Sequence, residues 1–264
     1  MLIRTVVLCL ALIFILSSPV YSEPFSTPVR ESGQGKLYQT EGLSVVVLQG
    51  NWYEMGYQYG ALLKDEMKSF STIIQQRLSS MSLLERIALQ HLVESQLRLY
   101  PHRISEIQRG MMAGSGLSRQ EIAILEHYFA IECANIGGLF CSAISVWGSF
   151  TTNGELMMGR NFDFPGYYRQ GFPYFCLAIF RPTDGSIATA TLGYVGQIGS
   201  VSFFNAAGLV GEFNVAVNLL RESPQLDRIN ASILLTLFGF DCATLEQFHA
   251  AMMTSRFNGS VFHL

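Results

Sequence analysis

The sequence predicts an α+β fold, and three observations carry that prediction. Apolar residues recur at three- and four-residue spacing from Trp52 to about Cys133, the signature of packed helices. After Gly137-Gly138 the pattern changes to short β-prone runs separated by turn residues. Helical spacing then returns at Ala231. Helices followed by a block of strands and more helices fit a layered domain better than an alternating parallel one.

The elements follow in order. Residues 23–40 are polar and rich in Ser, Pro and Gly, and read as a mobile lead-in. Ser44–Leu48 is a β-branched strand, and Gly50-Asn51 breaks the chain before Trp52, Met55, Tyr59, Leu62, Leu63, Met67 and Phe70 mark a helical face. Further helices are expected from Ser82 to Leu99, from His102, and from Ser118, where Glu121 completes a capping-box spacing. That last helix is expected to reach Cys133. Cys141–Phe150 and Glu155–Phe164 are apolar runs joined by Thr151-Thr152-Asn153-Gly154, a strong hairpin signal. Strands are expected at Phe175–Arg181, Ile187–Leu192, Ser200–Asn205 and Leu209–Val217, and helices at Ala231–Phe240 and Leu245–Met253. The sheet is expected to be antiparallel and to open at Cys141.

Bulk properties exclude several classes. The 264 residues carry a formal charge of -3, which gives no cationic surface for nucleic acid. With 49% hydrophobic and 14% charged residues, the chain has ample material for a core. Arg4, the apolar run Val6–Leu16 and the small residues ending at Ser22 have the shape of a secretory signal peptide over residues 1–22. No later stretch reaches about 18 apolar residues, so no stable membrane span is expected after its removal. Of five cysteines, Cys9 falls in that segment; Cys133, Cys141, Cys176 and Cys242 lack any C-x-x-C pairing. The five histidines form no ligand-spaced cluster, so neither a metal nor a cofactor is expected.

The chemistry concentrates around Cys141. A cysteine among apolar residues is ordinarily a small buried hydrophobe. Here Gly137-Gly138 precedes it, Ser142 and Ala143 leave room at the sulfur, and the facing run carries Arg160, Asn161 and Asp163. If Asn153-Gly154 is a two-residue turn, Asp163 lies opposite Ile144, roughly 10 Å along the strand from Cys141, and Arg160 lies opposite Trp147. A longer loop or a bulge would shift the register towards the cysteine. An internal salt bridge or a turn remains an equal account of Arg160 and Asp163. Trp52, Tyr53, Met55 and Tyr59 read as helix packing. Phe162, Phe164, Tyr167, Tyr168, Phe172 and Tyr174 line either an acyl pocket or the core.

Phe140-Cys141-Ser142-Ala143-Ile144-Ser145, with Thr152-Asn153-Gly154 and Met158-Gly159-Arg160-Asn161-Phe162-Asp163, resembles the nucleophile hairpin of the cysteine N-terminal-nucleophile (Ntn) hydrolases. The nearest group is the acyl-coenzyme A:aminopenicillanate acyltransferase-like family (peptidase family C45), related to choloylglycine hydrolases, penicillin V acylases and acid ceramidase. Gly50-Asn51-Trp52-Tyr53-Glu54-Met55-Gly56-Tyr57-Gln58-Tyr59-Gly60 is similar to that family's G-x-x-x-E-x-G-x-x-x-G opening. Gly110 to Leu117 with Glu121-Ile122 resembles its second helical block, and Asn205-Ala206-Ala207-Gly208-Leu209 through Asn214 its N-x-x-G-L segment.

The resemblance implies an αββα sandwich of antiparallel sheets flanked by helices, truncated at the C-terminus. A helical pro-segment over residues 23–140 becomes the α-chain, and residues 141–264 form the β-chain. It implies autocleavage between Phe140 and Cys141, leaving Cys141 as nucleophile with its own α-amine as base. Arg160 holds the thiolate or substrate, Asp163 orients the new amine, and Asn214 donates to the oxyanion. Asn205 reads as a turn residue. The implied partner is a small acyl-amide substrate of lipid-like character, and the implied location secreted, periplasmic or lysosomal. Two other readings stay open: an exported, non-catalytic binding module, and a disulfide-stabilised domain in which Cys141 is bonded.

Overall fold

The structure, a computed structural model, describes residues 27–40, 42–128, 140–163, 171–214, 226–258 and 261–263. Among these residues it is an α+β protein with one large mixed sheet, helices against it, and a separate hairpin. The sheet has eight strands in the order β1 (Arg30–Ser32), β2 (Gly35–Thr40), β3 (Leu43–Gly50), β6 (Phe175–Pro182), β7 (Thr189–Tyr194), β8 (Ser202–Asn205), β9 (Val210–Asn214) and β12 (Val261–His263). Strands β4 (Phe140–Gly148) and β5 (Gly154–Asp163) form their own two-stranded sheet, and β10 (Ile229–Asn230) pairs with β11 (Phe257–Asn258).

Three expectations are corrected here. The stretch read as a mobile lead-in contains β1 and β2, which extend the sheet beyond β3. Their polar residues face solvent at an edge, while Leu37 and Tyr38 are buried, so few apolar positions mark them in the sequence. Among the described residues the large sheet does not open at Cys141, because β4 pairs there with β5 in a sheet of their own. It is also not wholly antiparallel: β3 and β6 run parallel, from Ser44 opposite Cys176 to Gly50 opposite Pro182. A parallel pair requires a long crossover, here the helices and the hairpin.

The central strands are buried on both faces. Val46, Leu48, Ala178 and Phe180 join the main core with Met55, Tyr59, Phe70, Ile107 and Met111 from the helices. Val45, Val47, Leu177 and Ile179, their alternate neighbours, form a second cluster on the opposite face with Tyr38 and Ala190. The helices are α1 (Trp52–Leu62), α2 (Lys64–Ser79), α3 (Leu83–Leu99), α4 (His102–Ser115), α5 (Arg119–Glu126), α6 (Ala231–Asp241) and α7 (Leu245–Thr254). The helical face from Trp52 to Phe70 is split in two at Leu63 (φ -115°, ψ 22°). The expected box of Ser118 and Glu121 caps α5, and that helix closes at His127. Its expected continuation to Cys133 lies outside the described residues.

The Gly50 to Gly60 motif has a structural meaning at each position. Gly50 adopts φ 137°, where a Cβ would sit 2.5 Å from Glu54 Oε2. Asn51 and Glu54 form a reciprocal capping box that starts α1. Gly56 and Gly60 pack against α4, where a Cβ would lie 2.1 Å from the Ile107 carbonyl oxygen and 2.4 Å from that of Met111. Gly110 and Gly114 return the contact against the carbonyls of Tyr53 and Tyr57, at 2.2 and 2.1 Å. Four glycines at matched spacing thus let two backbones touch. The same segment carries the packing side chains expected of it: Met55 and Tyr59 are buried, and Trp52 packs on Phe240 with ring centroids 5.0 Å apart.

Candidate active site

Asn153-Gly154 does not make the expected two-residue turn. Gly148 (φ 60°) and Gly154 (φ 77°) take the left-handed conformations, and residues 149–153 form the loop between them. Thr151 Oγ1 donates to the Glu155 carbonyl at 2.9 Å, and the Asn153 side chain accepts from the Glu155 amide. The loop, closed by Gly148 opposite Gly154, moves the register by five residues, and an irregularity between Val146 and Gly148 takes one of them back. The register therefore moves four residues towards the cysteine: Arg160 pairs with Ala143 rather than Trp147, and Asp163 with Phe140 rather than Ile144.

This shift assembles the site. Cys141 faces Phe162 and, two residues on, Ala143 faces Arg160, so Cys141 and Arg160 project from the same side of the hairpin. They are diagonal neighbours, a spacing of roughly 7–8 Å between backbones. The Asp163 backbone lies across from Phe140, beside the peptide bond leading into Cys141. The Asp163 side chain lies outside what the structure describes. Along this side Cys141, Met158 and Arg160 are half-buried and Ala143 and Ser145 exposed; on the other, Val146 and Gly159 are half-buried and Ser142, Ile144, Met157 and Asn161 exposed.

Arg160 reaches from the hairpin into the large sheet. Its Nη1 donates to the Val201 carbonyl and, at 2.9 Å, to Ser202 Oγ; its Nη2 donates to the Phe213 carbonyl at 2.6 Å. Nε lies 3.8 Å from Glu212 Oε2 in an ion pair whose side chains are only 10% and 1% exposed. Asn214, two residues along β9, donates from Nδ2 to Glu212 Oε1 at a long 3.4 Å. Its buried Oδ1 has no hydrogen-bond partner among the described residues. Arg160 and Asn214, singled out separately in the sequence, are thus brought together through Glu212.

Glu212 and Ser202 were not singled out, although Glu212 left a signal. It is the one charged residue in Leu209–Val217, and its two-residue offset from Asn214 puts both on one face of the strand. Asn205 is a turn residue, as expected: its Oδ1 accepts from the amides of Ala207 and Leu209, while Nδ2 donates to the carbonyls of Gly239 and Cys242.

The cysteines separate by environment. Cys141, Cys176 and Cys242 are all free thiols. Cys176 is fully buried, and burial pushes its thiol up to about 12, so it stays protonated and inert. Burial also raises Cys242. Cys141 alone among the three is partly open to solvent. Among the described residues no group of three His, Cys, Asp or Glu is placed to hold a metal ion, and no helix is long and apolar enough to cross a membrane.

Comparison with known protein families and with curated proteins finds no match to this chain.

Proposed function

We propose that the chain is an autoprocessing cysteine hydrolase of the N-terminal-nucleophile type, which cleaves linear amide bonds or transfers their acyl group through a thioester on Cys141. The observation that carries this reading is the hairpin register. It sets Cys141 at the start of a strand, with the Asp163 backbone across from Phe140 and Arg160 on the same side as the sulfur. Two further features support the αββα arrangement: the second apolar face of the large sheet, and a hairpin that forms a sheet of its own.

In the autocleavage step, Cys141 Sγ attacks the Phe140 carbonyl carbon. The C–N bond breaks, the Cys141 nitrogen leaves with the thiol proton, and water hydrolyses the resulting thioester to free Phe140 as a carboxylate. A free α-amine titrates near pH 8, so it can take the thiol proton in each later turnover without a histidine. The Sγ then bonds to the substrate acyl carbon and the amine product departs. Water resolving the thioester gives hydrolysis; a second amine gives transfer. Asn214 is the side-chain donor proposed for the oxyanion, once its long contact to Glu212 is exchanged for the substrate oxygen. Arg160 acts mainly as the strut that holds the hairpin on β8 and β9, with its charge balanced by Glu212. Residues 1–22 would direct export, to a secreted, periplasmic or lysosomal location.

The test is the intact mass and N-terminal sequence of the purified protein beside Cys141→Ala. A terminus at Cys141, absent from the variant, is the expected result; a folded, uncut wild-type chain would sink the proposal. A second reading, a non-catalytic binding module, is favoured by the outer side of the hairpin. Ile144 and Met157 on that side are 65% and 49% exposed, and Trp147 and Phe150 at the loop end of the ribbon are 63% and 82% exposed, a large apolar surface for two strands. The uncut chain would move the balance to that reading.

A further inference from the structure

Glu126, the last residue of α5, is a carboxylate 1% exposed to solvent. Its two oxygens accept from consecutive amides of the loop between β7 and β8, Ile198 at 2.8 Å and Gly199 at 2.9 Å. The fit is close, because a Cβ on Gly199 would stand 2.7 Å from Glu126 Oε1 and 2.4 Å from Ser232 Oγ. The rest of the loop is fixed by uncharged groups. Gly196 donates to the Tyr59 hydroxyl at 3.0 Å, Thr236 Oγ1 donates to the Ile198 carbonyl at 2.9 Å, and the Ser200 amide donates to the Ser232 carbonyl. The loop ends at Val201 and Ser202, the residues whose carbonyl and hydroxyl accept from Arg160. A continuous path therefore runs from Glu126 through Ile198–Ser202 to Arg160 and the Cys141 hairpin.

We propose that Glu126 is a positioning residue for the Cys141 hairpin, acting through the Ile198–Ser202 segment and the Arg160 guanidinium from the helical side of the Phe140–Cys141 junction. The proposal rests on the reading of that hairpin as the functional site. It also gives the helical segment a task after a cut at Cys141, since Glu126 and the loop it holds would then belong to different chains. The ionised carboxylate accepts from both amides at full strength; a proton on one oxygen weakens that oxygen as an acceptor and adds an O–H donor among N–H groups. Burial raises the Glu126 carboxyl to about 7, against the opposing pull of the two amides. The groups that feel its charge, Tyr59 on α1 and Tyr100 between α3 and α4, are themselves held well above 10 by burial and stay neutral. His127, its neighbour, is lowered by burial to about 4 and is neutral over the same range.

The experiment measures alkylation of Cys141 by iodoacetamide between pH 5.5 and 8.5 by peptide mass, in wild type and Glu126→Gln. Taking the ratio of the two rates at each pH cancels the titration of the thiol itself. The expected ratio differs from one by about tenfold at pH 8.5 and returns to near one at pH 5.5, with a midpoint near 7, because Gln resembles the protonated state at every pH. Thr236→Val, which removes an uncharged anchor of the same loop, is expected to change the rate by one factor at all pH values. A wild-type to Glu126→Gln ratio that is pH-independent would overturn the proposal. Should Glu126→Gln not fold, hydrogen exchange of the Ile198 and Gly199 amides in wild type decides. Protection, corrected for intrinsic rates, must change with a midpoint near pH 7, and constant protection refutes the idea. Alkylation needs no autocleavage, so an uncut chain with the expected ratio defeats the hydrolase reading alone. A cut chain with a flat ratio defeats only the role of Glu126.

Discussion

Arg160 shows how a residue can be visible in a sequence while its role is not. A charge in an otherwise apolar run marked it, but its partners come from strands 41 to 53 residues away, which no local pattern announces. The same separation concealed Glu212. Once paired, the two ions are buried, so removing one strands the other. Arg160→Met is expected to lower the unfolding free energy by about 3–5 kcal/mol, because buried Glu212 loses its ion-pair partner and three acceptors, on Val201, Ser202 and Phe213, lose their donor. Arg160→Met/Glu212→Leu is expected to lose clearly less than the sum of the two single variants. Urea unfolding of the four proteins measures this coupling. Strictly additive losses would mean that the pair does not act as a unit.

At the scale of elements, helices were readable and strand pairing was not. The cap at Ser118 lies where the sequence put it, since a cap depends on groups three residues apart, and a second box of the same spacing, Ser82 with Glu85, starts α3. The hairpin register depended on which glycines would adopt positive φ, and Gly148 and Gly154 did so in place of the Asn153-Gly154 pair. The glycine motifs on α1 and α4 were legible as motifs, but their cause lies between helices. It yields a test in which propensity and packing disagree. Alanine is favoured over glycine in a helix by about 1 kcal/mol, so an unconstrained glycine would gain from the change. Gly56→Ala and Gly110→Ala are instead expected to lose about 1–3 kcal/mol, because each new Cβ meets a backbone carbonyl that cannot rotate away. At Gly116 no atom lies within 4 Å, and Gly116→Ala is expected to cost only about 1 kcal/mol, for the left-handed φ of 74°. Thermal melts of the three variants rank the two mechanisms.

At the scale of the whole molecule, the consecutive residues Glu126 and His127 are buried where the helices meet the sheet, and their titrations act against each other. Both are nearly solvent-free, with His127 Nδ1 facing the Ala123 carbonyl at 2.8 Å and Nε2 facing the Tyr100 hydroxyl at 3.3 Å. Burial is the main cause of both shifts, yet the signs oppose because one group is charged when deprotonated and the other when protonated. The folded carboxyl is raised from 4.5 to about 7, so the native state holds an extra proton in that window. Its contribution to stability is present below pH 4.5 and is lost as pH rises through about 7. The folded imidazole is lowered from 6.5 to about 4, so the unfolded chain holds the extra proton; its contribution is present above pH 6.5 and is lost as pH falls through about 4. Between about pH 4.5 and 6.5 the two slopes cancel, and the pair leaves stability flat in wild type. Glu126→Gln is expected to expose the histidine slope, gaining about 2–3 kcal/mol relative to wild type as pH rises from 4.5 to 7. His127→Asn is expected to expose the carboxyl slope, losing a similar amount relative to wild type from pH 4.5 to 6.5. Urea midpoints of the three proteins at half-unit pH intervals check the signs. Parallel curves for wild type and both variants would show that neither group changes its proton affinity on folding.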